Sequence, residues 1–106
     1  MLSITMTRSA TEGPTVLTLS GVLDPDGSAR LLERVRRLID GGCRHLVLNL
    51  AGVTFCDSSG ISALLRARAK AAEAESRVRL STPSPALERA LALTGMTWVF
   101  QDSVDQ

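Results

Sequence analysis

One stretch, Leu46 to Lys70, constrains the fold of this chain more than any other: LVLNLAGVTFCDSSGISALLRARAK. An apolar run of strand character, His45–Leu50, leads through a turn into a helix that opens at Asp57-Ser58-Ser59-Gly60. A strand that is apolar at successive positions is buried on both faces, as in the middle of a parallel sheet. Asp57 or Ser58 caps the helix by accepting from backbone N–H groups that lack an intrahelical partner. Ile61, Leu64, Leu65, Ala71 and Ala72 form the apolar stripe of that helix, and Arg66, Arg68, Lys70, Glu73 and Glu75 are its polar positions.

The flanking segments extend the pattern. Leu2, Ile4 and Met6 alternate with Ser3, Thr5 and Thr7, and Thr15–Leu19 resumes strand character after the Glu12-Gly13-Pro14 turn, so the chain opens with an antiparallel hairpin. Leu31, Leu32, Val35, Leu38 and Ile39 recur at helical spacing, and Gly41-Gly42 supplies a left-handed stop. Val78-Arg79-Leu80 reads as a short strand. Pro83 and Pro85 lead into a helix over about 86–94 with Leu87, Ala90 and Leu91 as its core face, and Met96, Trp98 and Phe100 alternate into a last strand. The predicted order is β-β-α-β-α-β-α-β: a mixed, mainly parallel sheet of four to five strands with about three helices, in one domain spanning residues 1–106 with a polar tail over 101–106.

Composition narrows the function. Twelve basic against 11 acidic residues give no bulk attraction to nucleic acid or to an anionic membrane, and an aromatic share of 3% leaves little for base stacking. Cys43 and Cys56 form no CxxC pair, which fits reduced thiols in a cytoplasmic protein. The N-terminus lacks the basic and long apolar regions of a signal peptide, and no apolar run approaches a membrane span. Phosphate-binding glycine loops, dinucleotide fingerprints and zinc-ligand spacings are absent, so no metal or cofactor is expected. With His45 as the single histidine, a Ser-His-Asp triad would need it to reach a serine across the fold.

Two hydroxyls beside a carboxylate at a helix start therefore read as a phosphate acceptor or docking surface rather than an active site. The plain alternative is a helix cap worth about 0.5–2 kcal/mol. A capping box would place Glu or Gln three residues after the cap, yet Ile61 follows Ser58 and Gly60 follows Asp57 at that spacing. Gly60 leaves the backbone open to close approach. Ser62, Arg66 and Lys70 share one helix face, either a solvated surface or a ridge beginning at the serines. Asp24 beside Pro25 is a turn residue near the same end of the sheet.

Taken together, GVLD at Gly21–Asp24, LVLNL, VTFCDSSGISALL and SPALERALALTGM-x-x-VF resemble a STAS domain of the free-standing bacterial anti-sigma factor antagonist type, over about Leu2 to Phe100. The resemblance implies a protein that is not itself an enzyme. It implies binding, when unphosphorylated, to an anti-sigma factor that is also a serine kinase of the histidine-kinase-like ATPase fold, thereby releasing a sigma factor. Phosphorylation of Ser58, with Ser59 the second candidate, would switch binding off, and a PP2C-type phosphatase would restore it. The implied partner surface comprises Asp24, Asp57, Ser58, Ser59, Gly60, Ser62 and Arg66. Where the family often carries Thr or Ser three residues after the GxLD aspartate, this chain has Gly27, with Ser28 next. The alternatives are a non-switching STAS scaffold, as in a stressosome-like assembly or a lipid-transporter accessory subunit, and a small hydrolase using Ser58.

Overall fold

The computed structural model describes residues 1–8 and 13–96. Strands β1 (Leu2–Arg8) and β2 (Thr15–Leu23) form the expected hairpin, and helix α1 (Pro25–Asp40) leads to β3 (His45–Cys56). Helix α2 (Ser58–Glu73), strand β4 (Arg77–Ser81) and helix α3 (Pro85–Thr94) follow. Among the described residues the sheet has four strands in the order β1-β2-β3-β4, antiparallel between β1 and β2 and parallel between β2 and β3 and between β3 and β4. Of the expected last strand, Trp98 and Phe100 lie outside the described residues, as does the polar tail.

The core is one continuous apolar cluster. Leu17 and Leu19 of β2 and Leu46, Leu48 and Leu50 of β3 meet Leu31, Val35 and Ile39 of α1, Ile61, Leu64 and Ala67 of α2, and Leu87 and Leu91 of α3. Each fully buried leucine contributes about 1.5–3 kcal/mol of transfer free energy. Val47 is buried along with its neighbours Leu46 and Leu48, as a central strand requires. Two details differ from the sequence reading. Ala72 is exposed, because it lies a third of a turn past Ala71, and Leu65 is only half-buried. The buried stripe of α2 runs through Gly60, Ile61, Ala63, Leu64, Ala67 and Ala71 instead.

β3 runs to Cys56, six residues beyond the apolar segment seen in the sequence. It does so by means of two register irregularities against β2, between Thr18 and Ser20 and between Gly21 and Val22. The first changes the inward period: Leu46, Leu48 and Leu50 are followed by Val53 as the next buried residue. An extra residue in one strand re-aims every side chain after it. Gly52 fits this crossing because a Cβ there would stand 2.8 Å from the Leu19 carbonyl oxygen.

The three helices among the described residues end alike. Gly42 N–H donates to the Ile39 carbonyl and Cys43 N–H to that of Leu38, at 3.0 and 2.9 Å. This is the Schellman pattern, and the left-handed residue is Gly42 (φ +97) rather than Gly41 (φ −83). Gly95 (φ +72) plays that part after α3, whereas Glu75 (φ +58) plays it after α2.

Candidate functional site

The site stands where β2 and β3 end side by side. Leu23 is opposite Cys56 in the parallel register, so the next residues, Asp24 and Asp57, open their helices from adjacent strand tips. Both are N-caps in nearly the same conformation, with φ/ψ of −99/−175 for Asp24 and −105/−170 for Asp57. Each begins the same turn, Asp-x-x-Gly: Asp24-Pro25-Asp26-Gly27 and Asp57-Ser58-Ser59-Gly60. Asp24 Oδ1 accepts from the Gly27 N–H at 2.9 Å, and Asp57 Oδ1 accepts from the N–H groups of Ser59 and Gly60 at 2.9 and 3.2 Å. Asp57 N–H in turn donates to the Leu23 carbonyl at 3.3 Å, tying the second turn to the end of β2.

Both glycines are buried against their own chain. A Cβ on Gly27 would come within 2.6 Å of the Val22 carbonyl oxygen, and one on Gly60 within 2.7 Å of Cys56 Sγ and 2.9 Å of the Leu23 carbonyl oxygen. The side of Gly60 on which a side chain would project thus faces Leu23 and Cys56, not solvent. The openness read into this glycine from sequence is taken up by internal packing.

The two serines differ sharply. The Ser59 hydroxyl is half-buried and donates to Asp57 Oδ1, and its oxygen lies 3.4 Å from Ser28 Oγ. Ser58 is exposed, and its hydroxyl makes no hydrogen bond among the described residues. The hydrogen bond from the Ser59 hydroxyl, then those from the backbone N–H groups of Gly60 and Ser59, hold the Asp57 carboxyl below its ordinary 3.8. Burial, then the Asp57 charge, pushes the neighbouring Cys56 thiol up to about 11. Cys56 is thereby kept as a protonated, apolar-like filler.

Around this centre, Phe55 is 50% exposed, Arg66 is exposed and Ser62 is half-buried. Lys70, which shares their helix face in the sequence pattern, turns instead toward α1, with Nζ 3.4 Å from Asp40 Oδ1. His45 stands at the opposite end of β3 from Ser58, a 12-residue strand away. At about 3.3 Å per residue that is over 30 Å, so a triad joining the two is not formed. Among the described residues no group of His, Cys, Asp or Glu is arranged to hold a metal ion, and no helix is long and apolar enough to cross a membrane.

The candidate residues Asp24, Asp57, Ser58, Ser59 and Gly60 are therefore brought together at one end of the sheet. Ser28 was missed: buried in the first turn of α1, it carries no spacing signal that links it to a serine 31 residues later. The repeated Asp-x-x-Gly, each copy following a strand, was the visible clue.

Residues 6–100 match the family model described as "Mlab, STAS domain". The chain belongs to the STAS domain family. Solved structures agree on the fold. An anti-sigma factor antagonist from Mycobacterium paratuberculosis aligns with a TM-score of 0.78 at 22% identity, covering 99% of this chain and 92% of that one. The anti-sigma factor antagonist SpoIIAA in its unphosphorylated form aligns at 0.72 and 21% identity, covering 89% and 82%. The Bacillus cell fate determinant SpoIIAA in the phosphorylated form aligns at 0.69 and 20% identity, covering 97% of each chain. The STAS fold of the antagonists is thus the fold of this chain.

Proposed function

We propose that this STAS domain is an anti-sigma factor antagonist gated by phosphorylation of Ser58. In this reading the unphosphorylated chain binds an anti-sigma factor that is also a serine kinase of the histidine-kinase-like ATPase fold, and a sigma factor is released. Phosphate on Ser58 ends the association, and a PP2C-type phosphatase restores it. The observation that carries the reading is the contrast within the serine pair: Ser59 is engaged with Asp57, while the Ser58 hydroxyl is exposed and unengaged at the first position of α2.

The physics of such a switch is favourable. A phosphoserine adds about −1.5 to −2 charge. At a helix N-terminus the backbone dipole favours that charge, so the fold should carry it. That SpoIIAA is known in both phosphorylated and unphosphorylated forms of this fold supports the same view. A partner surface pressed on Ser58 would instead face a new charge, at a cost of several kcal/mol. Each 1.4 kcal/mol is about tenfold in affinity, so one modification can weaken binding by two or three orders of magnitude.

The test is incubation with ATP and the kinase-type anti-sigma factor encoded nearest to this gene, followed by phosphosite mapping. Phosphate on Ser58 and a loss of partner affinity of about 100-fold or more in Ser58→Asp are expected. No phosphate on Ser58, or unchanged affinity of Ser58→Asp, overturns the reading.

A second reading, a non-switching interaction scaffold such as a transporter accessory subunit, is favoured by the matching family model, whose description names Mlab rather than an antagonist. Co-purification with transporter subunits and no kinase would establish it in place of the first.

A further inference from the structure

We infer that Ser28 is a positioning residue that helps to confine phosphorylation to Ser58, by adding to the restraint that Asp57 places on Ser59. This rests on the phosphorylation reading and adds a residue that contributes to its site selectivity. The Ser59 hydroxyl has a single proton, and it is committed to Asp57 Oδ1. At the 3.4 Å contact between Ser28 Oγ and Ser59 Oγ, Ser28 must therefore be the donor. The resulting chain runs one way, from Ser28 to Ser59 to Asp57, and crosses from the first turn of α1 to the first turn of α2.

Ser28 is only 4% exposed, and its hydroxyl has no other partner among the described residues. For Ser59 to swing out toward a kinase, two things must happen. It must give up a hydrogen bond to a carboxylate, and it must strand the buried Ser28 donor. A buried donor left unpaired is penalised more heavily than a made bond is rewarded. Ser58 bears neither restraint. The contact is long for an O–H···O bond, so its share of the selectivity is modest. Removing the Ser28 hydroxyl deletes the second penalty without touching Ser58, Ser59 or Asp57.

The experiment is phosphosite mapping of wild type, Ser28→Ala and Ser28→Thr, each treated with the kinase that phosphorylates the wild-type chain. The readout is the ratio of phosphate on Ser59 to phosphate on Ser58. Ser28→Ala should raise that ratio three- to tenfold, tenfold being the equivalent of about 1.4 kcal/mol, and Ser28→Thr, which keeps a donor, should return it toward the wild-type value. A general loss of stability would slow both sites and leave their ratio unchanged. If Ser28→Ala does not fold by circular dichroism, Ser28→Cys, with a weaker donor, is read in the same way. An unchanged ratio with Ser58 still phosphorylated overturns the role of Ser28 and leaves the phosphorylation reading standing. An absence of phosphate on the wild-type chain overturns that reading itself, and this inference with it.

Discussion

Asp24 and Asp57 cap adjacent helices through one four-residue turn used twice, and the Asp57 N–H ties the second turn to the Leu23 carbonyl, at the strand end that leads into the first. The polar groups at the rim are thus mostly spoken for by the fold. Asp57 Oδ1 alone receives two backbone N–H groups and the Ser59 hydroxyl. The Ser58 hydroxyl is the conspicuous one left over.

That division of labour predicts different costs for the two serines. Ser58→Ala should shift the stability measured by urea denaturation by no more than about 0.5 kcal/mol, the usual range for a surface change. Ser59→Ala should cost about 1.5–3 kcal/mol, since it removes a hydrogen bond to a charged acceptor. Equal costs would mean that Ser58 also has a structural bond.

Asp57 predicts a pH dependence of defined sign. Its folded value lies below 3.8, so it contributes stability that is fully present above that value and is lost as the pH falls through the lower folded value. The stability difference between wild type and Asp57→Asn should be flat from about pH 5 to 7 and should shrink toward zero below about pH 4. Asp57→Ala at neutral pH should cost about 1–2 kcal/mol through the lost cap, read as a lower urea midpoint.

Gly60→Ala should destabilise, although alanine is the better helix former by about 1 kcal/mol. The new methyl would meet Cys56 Sγ at 2.7 Å, the Leu23 carbonyl oxygen at 2.9 Å and Leu23 Cβ at 3.0 Å, of which the carbonyl belongs to the β2 backbone. A net loss of roughly 1–3 kcal/mol is expected from overpacking, measured by thermal or urea unfolding. A gain in stability would show that the turn has room.

Glu75→Gly predicts the opposite sign. Glu75 is exposed and left-handed (φ +58) at the end of α2, the place that Gly42 and Gly95 fill after the other helices. Relieving that conformation should raise stability by about 1 kcal/mol, visible as a higher Tm.

Cys56 should resist alkylation in the native chain. With its pKa near 11, only about one thiol in a thousand is thiolate at pH 8. Mass spectrometry after brief iodoacetamide treatment should find Cys56 unmodified in buffer and modified in denaturing urea.

The helices and the opening hairpin were legible because their periods are strong. Leu31, Val35 and Ile39, or Leu2, Ile4 and Met6, repeat at spacings that only one element satisfies. The far half of β3 was not, because Ala51-Gly52 reads as a break, and only pairing with β2 makes it a bulged strand. At the site, the serines and Asp57 were readable from local order. The Ser28 contact and the crowding of Gly60 by Leu23 depend on two strand ends lying abreast, which no local pattern announces.

The pairing of Leu23 with Cys56 has a last consequence. It sets the two strand tips that feed the helices level with each other, one strand spacing of about 4.8 Å apart. Under the proposed reading, a partner that covers the Ser58 turn would also reach the first turn, where Pro25 and Asp26 are exposed. Substitutions at this first doorway would then retune the choice of partner while leaving Ser58, the proposed acceptor, in place.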